Sequence, residues 1–208
     1  FINGRPNDNI GITLFAGETF TQCPLTVDHA VLLDMIHNIK CGLIEDGTAV
    51  GMGIANAVTR LKDSKAKSKV IILLTDGTNN KGDISPLTAA EIAKSFGIRV
   101  YTIGVGTNGM APYPYPVGNT VQYVNMPVEI DEKTLTQIAG TTDGNYFRAT
   151  SNSKLKEVYE EIDKLEKTKL NVKEYSKRDE EYQWFALAAF LCVLLEVLLR
   201  NSILKKIP

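Results

Sequence analysis

The amino-acid sequence predicts an α/β protein, a parallel sheet with helices on both sides, followed by an apolar carboxy-terminal helix. Three observations carry this. The continuous apolar run 70–75, bounded by polar residues, has the pattern of a strand buried on both faces, as in a parallel sheet, and 99–105 reads as a second buried strand. Segments with apolar residues at three- and four-residue spacing lie before, between and after these runs, so that strands and helices alternate. From Trp184 to Leu199 the chain carries a single charge, Glu196, in an otherwise apolar stretch unlike any other in the sequence.

In chain order, Ile10 to Phe15 alternates and ends at Ala16-Gly17, which predicts a strand and a turn, with a shorter extended piece from Phe20 to Leu25. Val31, Leu32, Met35, Ile36 and Ile39 place a helix within 27–40, and a second amphipathic segment runs from Ala49 to Leu61. After the first buried run, Pro86 suits a first helical turn and Gly97 the position past a helix end. The run 99–105 is the second buried strand. A helix over 131–139 then leads through Asp143-Gly144 to a short strand at Tyr146-Phe147, and the helix 153–168 places Leu155, Val158, Tyr159, Ile162 and Leu165 on one face. These elements divide the chain into a domain over 1–168, a linker over 169–181, a membrane span over 182–200 and a basic tail over 201–208.

Composition bounds the function. The 208 residues hold 23 Lys and Arg against 24 Asp and Glu, a net charge of −1 that argues against binding by phosphate neutralisation. Three cysteines are too few for a disulfide-stapled scaffold; with Cys192 in the apolar run, only Cys23 and Cys41 remain as a possible pair. The 16 apolar-run residues would extend roughly 24 Å, and interfacial residues flank them: Tyr182 and Trp184 before, Arg200, Lys205 and Lys206 after. The run reads as a membrane anchor, its basic end in the cytoplasm and the domain outside it.

Ligands of an open α/β sheet collect beyond the carboxyl ends of its strands. There, Val70–Thr75 runs into Asp76-Gly77-Thr78-Asn79-Asn80, a carboxylate with short polar neighbours, while Glu45-Asp46-Gly47-Thr48 puts a hydroxyl just before a helix. An Asx turn at Asp76 and a helix cap at Thr48 are the plain alternatives. Gly104-Val105-Gly106-Thr107-Asn108-Gly109 satisfies a dinucleotide fingerprint, but the prolines at 112, 114 and 116 forbid the helix that a phosphate site needs next. His29 and His37 lie in one helix with no nucleophile motif nearby, and Cys23 before Pro24 reads as a packed strand residue. The proline- and tyrosine-rich stretch 107–128 reads as a surface loop; Tyr113 and Tyr115, with Tyr123, are its candidates for a partner-binding rim.

The segments Asp46-Gly47-Thr48-Ala49-Val50-Gly51 and Leu73-Leu74-Thr75-Asp76-Gly77, in this order of elements, resemble a von Willebrand factor type A domain over roughly residues 7 to 168. The resemblance implies a Rossmann-like fold and a metal-ion-dependent adhesion site. There Mg²⁺ would be held by an Asp-x-Ser-x-Ser motif, by a Thr that Thr48 matches and by an Asp that Asp76 matches, with Asp46 in an outer role. Mg²⁺ suits such hard oxygen ligands and leaves a position for a partner's carboxylate. No Asp-x-Ser-x-Ser occurs in the chain. In the family that motif follows the first, central strand, so the sequence is expected to lack that strand and to be an amino-terminally truncated piece that holds metal poorly. Longer segments, among them 15–26, 64–77 and the tail 199–208, are similar to the BatA type of bacterial aerotolerance protein. That similarity implies an inner-membrane protein that binds partners rather than catalyses, with sister Bat proteins and a MoxR-type AAA+ ATPase as those partners.

Overall fold

The computed structural model describes residues 1–40, 42, 44–106, 109–117, 120–128, 130–176 and 182–202. The chain divides into two compact units, Phe1–Lys167 and Thr168–Pro208. The first begins with a hairpin: β1, Ile10–Phe15, pairs antiparallel with β2, Thr19–Thr26, in a sheet of their own. This pair is antiparallel and separate from the parallel sheet, for a steric reason. Only Ala16, Gly17 and Glu18 separate the strands, and parallel neighbours need a crossover of a dozen residues or more.

Then the alternation predicted from periodicity appears. Helix α1, His29–His37, is capped by the Asp28 carboxylate, which accepts from the amides of Ala30 at 3.2 Å and Val31 at 3.1 Å. Helix α2 spans Val50–Leu61 and leads to β3, Lys69–Thr75. Ser85 caps α3, Pro86–Ser95, through the amide of Thr88 at 3.1 Å; Pro86 occupies the first turn, and Gly97 follows the helix with φ +65°, as its lack of a Cβ permits. Strand β4, Ile98–Val105, is parallel to β3 in the register Val70↔Arg99 to Thr75↔Gly104. The polypeptide continues through a second hairpin, β5 (Gly109–Val117) and β6 (Thr120–Val128), to α4, Glu132–Thr141, and to β7, Tyr146–Ala149, which joins the other edge of β4. The parallel sheet is therefore ordered β3-β4-β7. Helix α5, Asn152–Ser176, follows and runs on into the stretch expected as a linker.

Helices cover both faces of this sheet, as the alternation implies. On one face Val50, Ile54 and Val58 of α2, the alanines 89, 90 and 93 of α3, and Leu135 and Ile138 of α4 enclose Ile71, Leu73, Ile98 and Val100. On the other, Val158 and Ile162 of α5 pack on Tyr101, Ile103 and Ala149. Strand β4 is buried on both faces; β3 is fully buried only at Ile71, Leu73 and Thr75, with Val70, Ile72 and Leu74 half-covered. This corrects the expectation of two equally buried strands: among the described residues β4 has a strand on each side and β3 on one only.

A polar group crosses the apolar side. Glu166 of α5, 3% exposed, accepts from Ser68 Oγ at 3.0 Å and Tyr101 Oη at 2.6 Å, and pairs with the Arg99 guanidinium. Near the chain's start, Arg5 bonds Asp8 at 2.7 Å and reaches Asp163 of α5 at 2.8 Å, while the Phe1 ring lies 5.4 Å from that of Tyr159. The amino-terminal residues are thus seated on α5.

The stretch 107–128, expected as an irregular loop, contains the hairpin β5–β6, paired from Gly109↔Val128 to Val117↔Thr120. Its prolines are spaced by two, a strand's period, so they can all turn their missing N–H away from the ladder. Tyr113 and Tyr115 register against Val124 and Gln122; their side chains lie outside the described residues. Tyr123 is 72% exposed.

In the second unit, helix α6 spans Tyr182–Ser202, and its described apolar side chains, including Leu187, Phe190, Leu191 and Val193, are exposed. Among the described residues, however, no helix is long and apolar enough to cross a membrane, so the expected span over 182–200 is unsupported by the structure. The side chains of its expected flanks, Tyr182, Trp184, Arg200, Lys205 and Lys206, lie outside the described residues.

Candidate functional site

Three loops meet at the carboxyl ends of the strands: the turn after β1, the segment before α2 and the segment after β3. Backbone bonds tie the first two, the Gly17 amide to the Glu45 carbonyl at 2.7 Å and the Ala49 amide to the Ala16 carbonyl at 2.7 Å. The third is clamped on by Asn80. Its side-chain Oδ1 accepts from the Thr48 amide at 2.8 Å, and its own amide donates to the Thr48 carbonyl at 3.0 Å. Replacing Asn80 with Ala removes one arm of this clamp and should lower the unfolding free energy by about 1 kcal/mol, measured by urea denaturation. Lys81 adds an exposed pair to Glu45 at 3.1 Å.

Of the residues chosen from sequence, Thr48 lies beside Gly77, the residue that follows Asp76. A Cβ placed on Gly77, the residue after Asp76, would stand 3.0 Å from Thr48 Oγ1. The site end of β3 can approach the Thr48 hydroxyl so closely because residue 77 has no side chain. The helix cap expected as the plain role of Thr48 is not formed. The N-cap of α2 is Ala49, without a side-chain bond, and a first-turn amide, that of Gly51, reaches Asn79 Oδ1 at 3.5 Å instead. Among the described residues neither the Thr48 hydroxyl nor the Asp76 carboxylate takes part in a hydrogen bond or ion pair, and Asp76 is exposed. The Asx turn at Asp76 is likewise not made: the turn bond at this corner comes from Thr75, whose Oγ1 accepts from the Gly77 amide at 3.3 Å. Asp46, also exposed, lies one residue before the close approach of Gly47 to Gly17.

A hydroxyl and a carboxylate with uncommitted lone pairs are hard oxygen donors of the kind Mg²⁺ selects. They fit such an ion in kind and fall short in number: among the described residues no group of three His, Cys, Asp or Glu side chains could hold a metal. Sequence reasoning overlooked the Asn79 and Asn80 braces, although both belong to the polar cluster after the strand. The remaining expectations are quickly placed. His29 Nε2 lies 2.9 Å from the Asp8 carbonyl and His37 Nδ1 2.6 Å from that of Leu33, both exposed on α1. Cys23 is a buried free thiol on β2, and Cys41 lies outside the described residues. The glycines 104 to 109 lead into strand β5 rather than a helix, so no helix amino terminus follows them to receive a phosphate.

Comparison with known proteins gives a consistent picture. Residues 1–161 match the family model of the von Willebrand factor type A domain. An uncharacterized protein of Borreliella burgdorferi is 26% identical over 208 residues, the whole of this chain and 61% of its own length. A UPF0353 protein of Mycolicibacterium paratuberculosis is 28% identical over 167 residues, 74% of this chain and 47% of that protein. The chain thus spans about half to three fifths of the length of these relatives. Among solved structures, BatB from Bacteroides thetaiotaomicron superposes with a TM-score of 0.67 at 32% identity, covering 80% of this chain and 85% of that one. An aerotolerance-related membrane protein from Bacteroides fragilis gives 0.65 at 30%, covering 78% and 83%. Proximal thread matrix protein 1 from the mussel byssus, solved with zinc in its metal-ion-dependent adhesion motif, gives 0.58 at 26%, covering 79% of this chain and 37% of that one. With the parallel sheet, its flanking helices and the family match over residues 1–161, the chain belongs to the von Willebrand factor type A domain family.

Proposed function

We propose that this chain is the partner-binding part of a membrane-anchored protein of the BatA type, and that it binds other proteins with the help of a divalent cation, Mg²⁺, rather than catalysing a reaction. The observation that carries the reading is the adjacency of Thr48 to the Asp76–Gly77 corner, with both oxygen donors free of protein partners among the described residues. When bound, the cation would supply a Lewis-acidic position for a partner's carboxylate. Thr48 and Asp76 would hold it directly or through water, and Asp46 would orient that water. The Asn80 clamp keeps the Thr48 backbone in place whether or not an ion is present. An Asp-x-Ser-x-Ser motif that completes the set would have to come from outside these 208 residues.

The relatives named as aerotolerance-related and as BatB support a stress-related membrane complex; its members would be sister Bat proteins and a MoxR-type AAA+ ATPase. Helix α6 would anchor the protein in the bacterial inner membrane with the domain on the periplasmic side, its exposed leucines and Phe190 against lipid. Tyr113 and Tyr115 of β5 would form part of the binding rim, since the hairpin leaves the sheet from the carboxyl end of β4, which in a parallel sheet is the end that carries Asp76.

Capture of a Bat-type partner by the protein in detergent micelles, with Mg²⁺ and with EDTA, tests the reading. Binding should fall about tenfold or more on chelation, and Asp76→Ala or Thr48→Val should bring the Mg²⁺ value down to the EDTA value. The absence of a three-ligand cluster among the described residues favours a second reading, a scaffold subunit whose assembly needs no metal. Capture indifferent to EDTA and to Asp76→Ala would establish that alternative.

A further inference from the structure

The hairpin β5–β6 has one closed edge and one open edge. In an antiparallel pair, alternate residues exchange bonds across the ladder and the residues between them point N–H and C=O outward. Proline cannot donate, so Pro112, Pro114 and Pro116 of β5 must occupy outward positions, and the register places Asn125, Tyr123 and Val121 opposite them in the same class. Pro127, opposite Met110, falls on the outward set as well. The outer edge of β5 therefore presents carbonyls with a single donor, at Met110. The outer edge of β6 keeps three successive donors, at Val121, Tyr123 and Asn125, spaced symmetrically about Tyr123. The two strands form a sheet by themselves, and among the described residues neither packs extensively on any other element.

We propose that this β6 edge pairs with β6 of a second copy of the chain, antiparallel about Tyr123, to make a four-stranded sheet across a two-fold axis. In such a pairing Val121 meets Asn125 of the other copy and Tyr123 meets its own counterpart, so each outward donor finds an outward carbonyl. Residues near a two-fold axis face themselves, and a charge there would face its like. The stretch 107–128 holds no Asp, Glu, Lys or Arg, in a chain that is 23% charged as a whole, so self-pairing meets no such penalty. It also lacks the charges by which sheet edges ordinarily repel one another.

Gln122, Tyr123, Val124 and Asn125 are all exposed, although successive strand residues point to opposite faces. A two-stranded hairpin whose described β6 side chains are exposed on both faces is marginal in water, and added strands stabilise it. With the β5 edges barred by proline, growth stops at two copies. This inference rests on the hairpin alone and stands or falls apart from the metal reading.

The test uses the whole chain in detergent micelles. Sedimentation equilibrium should show a reversible dimer. Val121→Pro with Asn125→Pro removes outward donors only, as the existing prolines do, and should raise the dimer dissociation constant about a hundredfold. Because dissociation could also follow from a damaged hairpin, a second variant leaves the backbone alone. With Cys41→Ser and Cys192→Ser in place, Tyr123→Cys should oxidise to a covalent dimer, and Met110→Cys on the closed edge should not. A monomer at all concentrations, or equal cross-linking at 110 and 123, would overturn the proposal. So would a monomeric chain that loses capture of a Bat-type partner in the double-proline variant, since the edge would then belong to a foreign strand.

Discussion

Glu166→Ala should lower the unfolding free energy by about 3–5 kcal/mol, one of the two largest effects expected in this domain. The side chain is 3% exposed and serves three donors at once: Ser68 just before β3, and Arg99 and Tyr101 on β4. Removing it takes a buried charged acceptor away from a mostly buried guanidinium and a fully buried phenol, and breaking a buried pair from one side costs far more than deleting both partners. Arg99→Met with Glu166→Met should therefore be milder than Glu166→Ala alone.

The same cluster gives the pH dependence. Burial by itself would raise the Glu166 pKa, but the hydrogen bonds from Tyr101 and Arg99, the charge of Arg99 and the bond from Ser68 outweigh it and hold the carboxyl below its ordinary value. The Tyr101 hydroxyl is pushed upward, by burial first and by Glu166 second. A depressed carboxyl binds fewer protons folded than unfolded, so its contribution is fully present above the unfolded value of about 4.3 and disappears as pH falls through the folded one. The melting temperature should decline below about pH 4.5 in the parent and less steeply in Glu166→Gln. Asp131, held down by the Thr134 hydroxyl and amide, and Asp163, held down by Lys167 and Arg5, leave a residual slope of the same sign in both.

Gly51→Ala is the second, and here helix propensity and packing disagree in sign. In the first turn of α2, Ala should outrank Gly by up to about 1 kcal/mol. A Cβ at that position, however, would stand 2.0 Å from the Ile84 carbonyl oxygen and 2.8 Å from the Ser85 carbonyl carbon. These are backbone atoms at the start of α3, which cannot rotate aside. The net expectation is destabilisation of about 3 kcal/mol, with displacement of the 76–84 segment from α2. A gain in stability on chemical denaturation would show that the two helices can part at little cost. Loss of the partner capture described above should accompany the destabilisation, because the same segment carries Asp76 and the Asn80 clamp.

How far the fold could be read depended on the range of the interactions that make each element. Helices α1 to α4 and strands β3 and β4 come from local periodicity and caps, such as Ser85 with Pro86, and they lie where the spacing puts them to within two or three residues at most termini. The hairpin β5–β6 reads as a loop in sequence because proline is a poor strand former in general. Its alternation with period two was the available signal, and the proline edge becomes intelligible only once β6 supplies the ladder. Glu166 carries no local signal, since its partners lie 65 to 98 residues away in sequence.

At the site, the residue types at the end of β3 and before α2 were legible because a strand that emerges into a carboxylate, and a helix entered through a hydroxyl, are local patterns. Whether Thr48 capped its own helix or faced Asp76 was not legible. By itself, then, the sequence determined the alternating elements, the balanced charge that argues against phosphate-driven binding, and the choice of Thr48 and Asp76. Only the tertiary structure decided that Gly77 lets the Thr48 hydroxyl approach, that Asn80 clamps the two loops, that Gly51 tolerates no methyl group and that Glu166 joins α5 to the sheet. The physical reason is one of distance along the chain: local propensity acts over a few residues, whereas each of these contacts is made by segments about 30 residues apart or more, brought together by burial of the core.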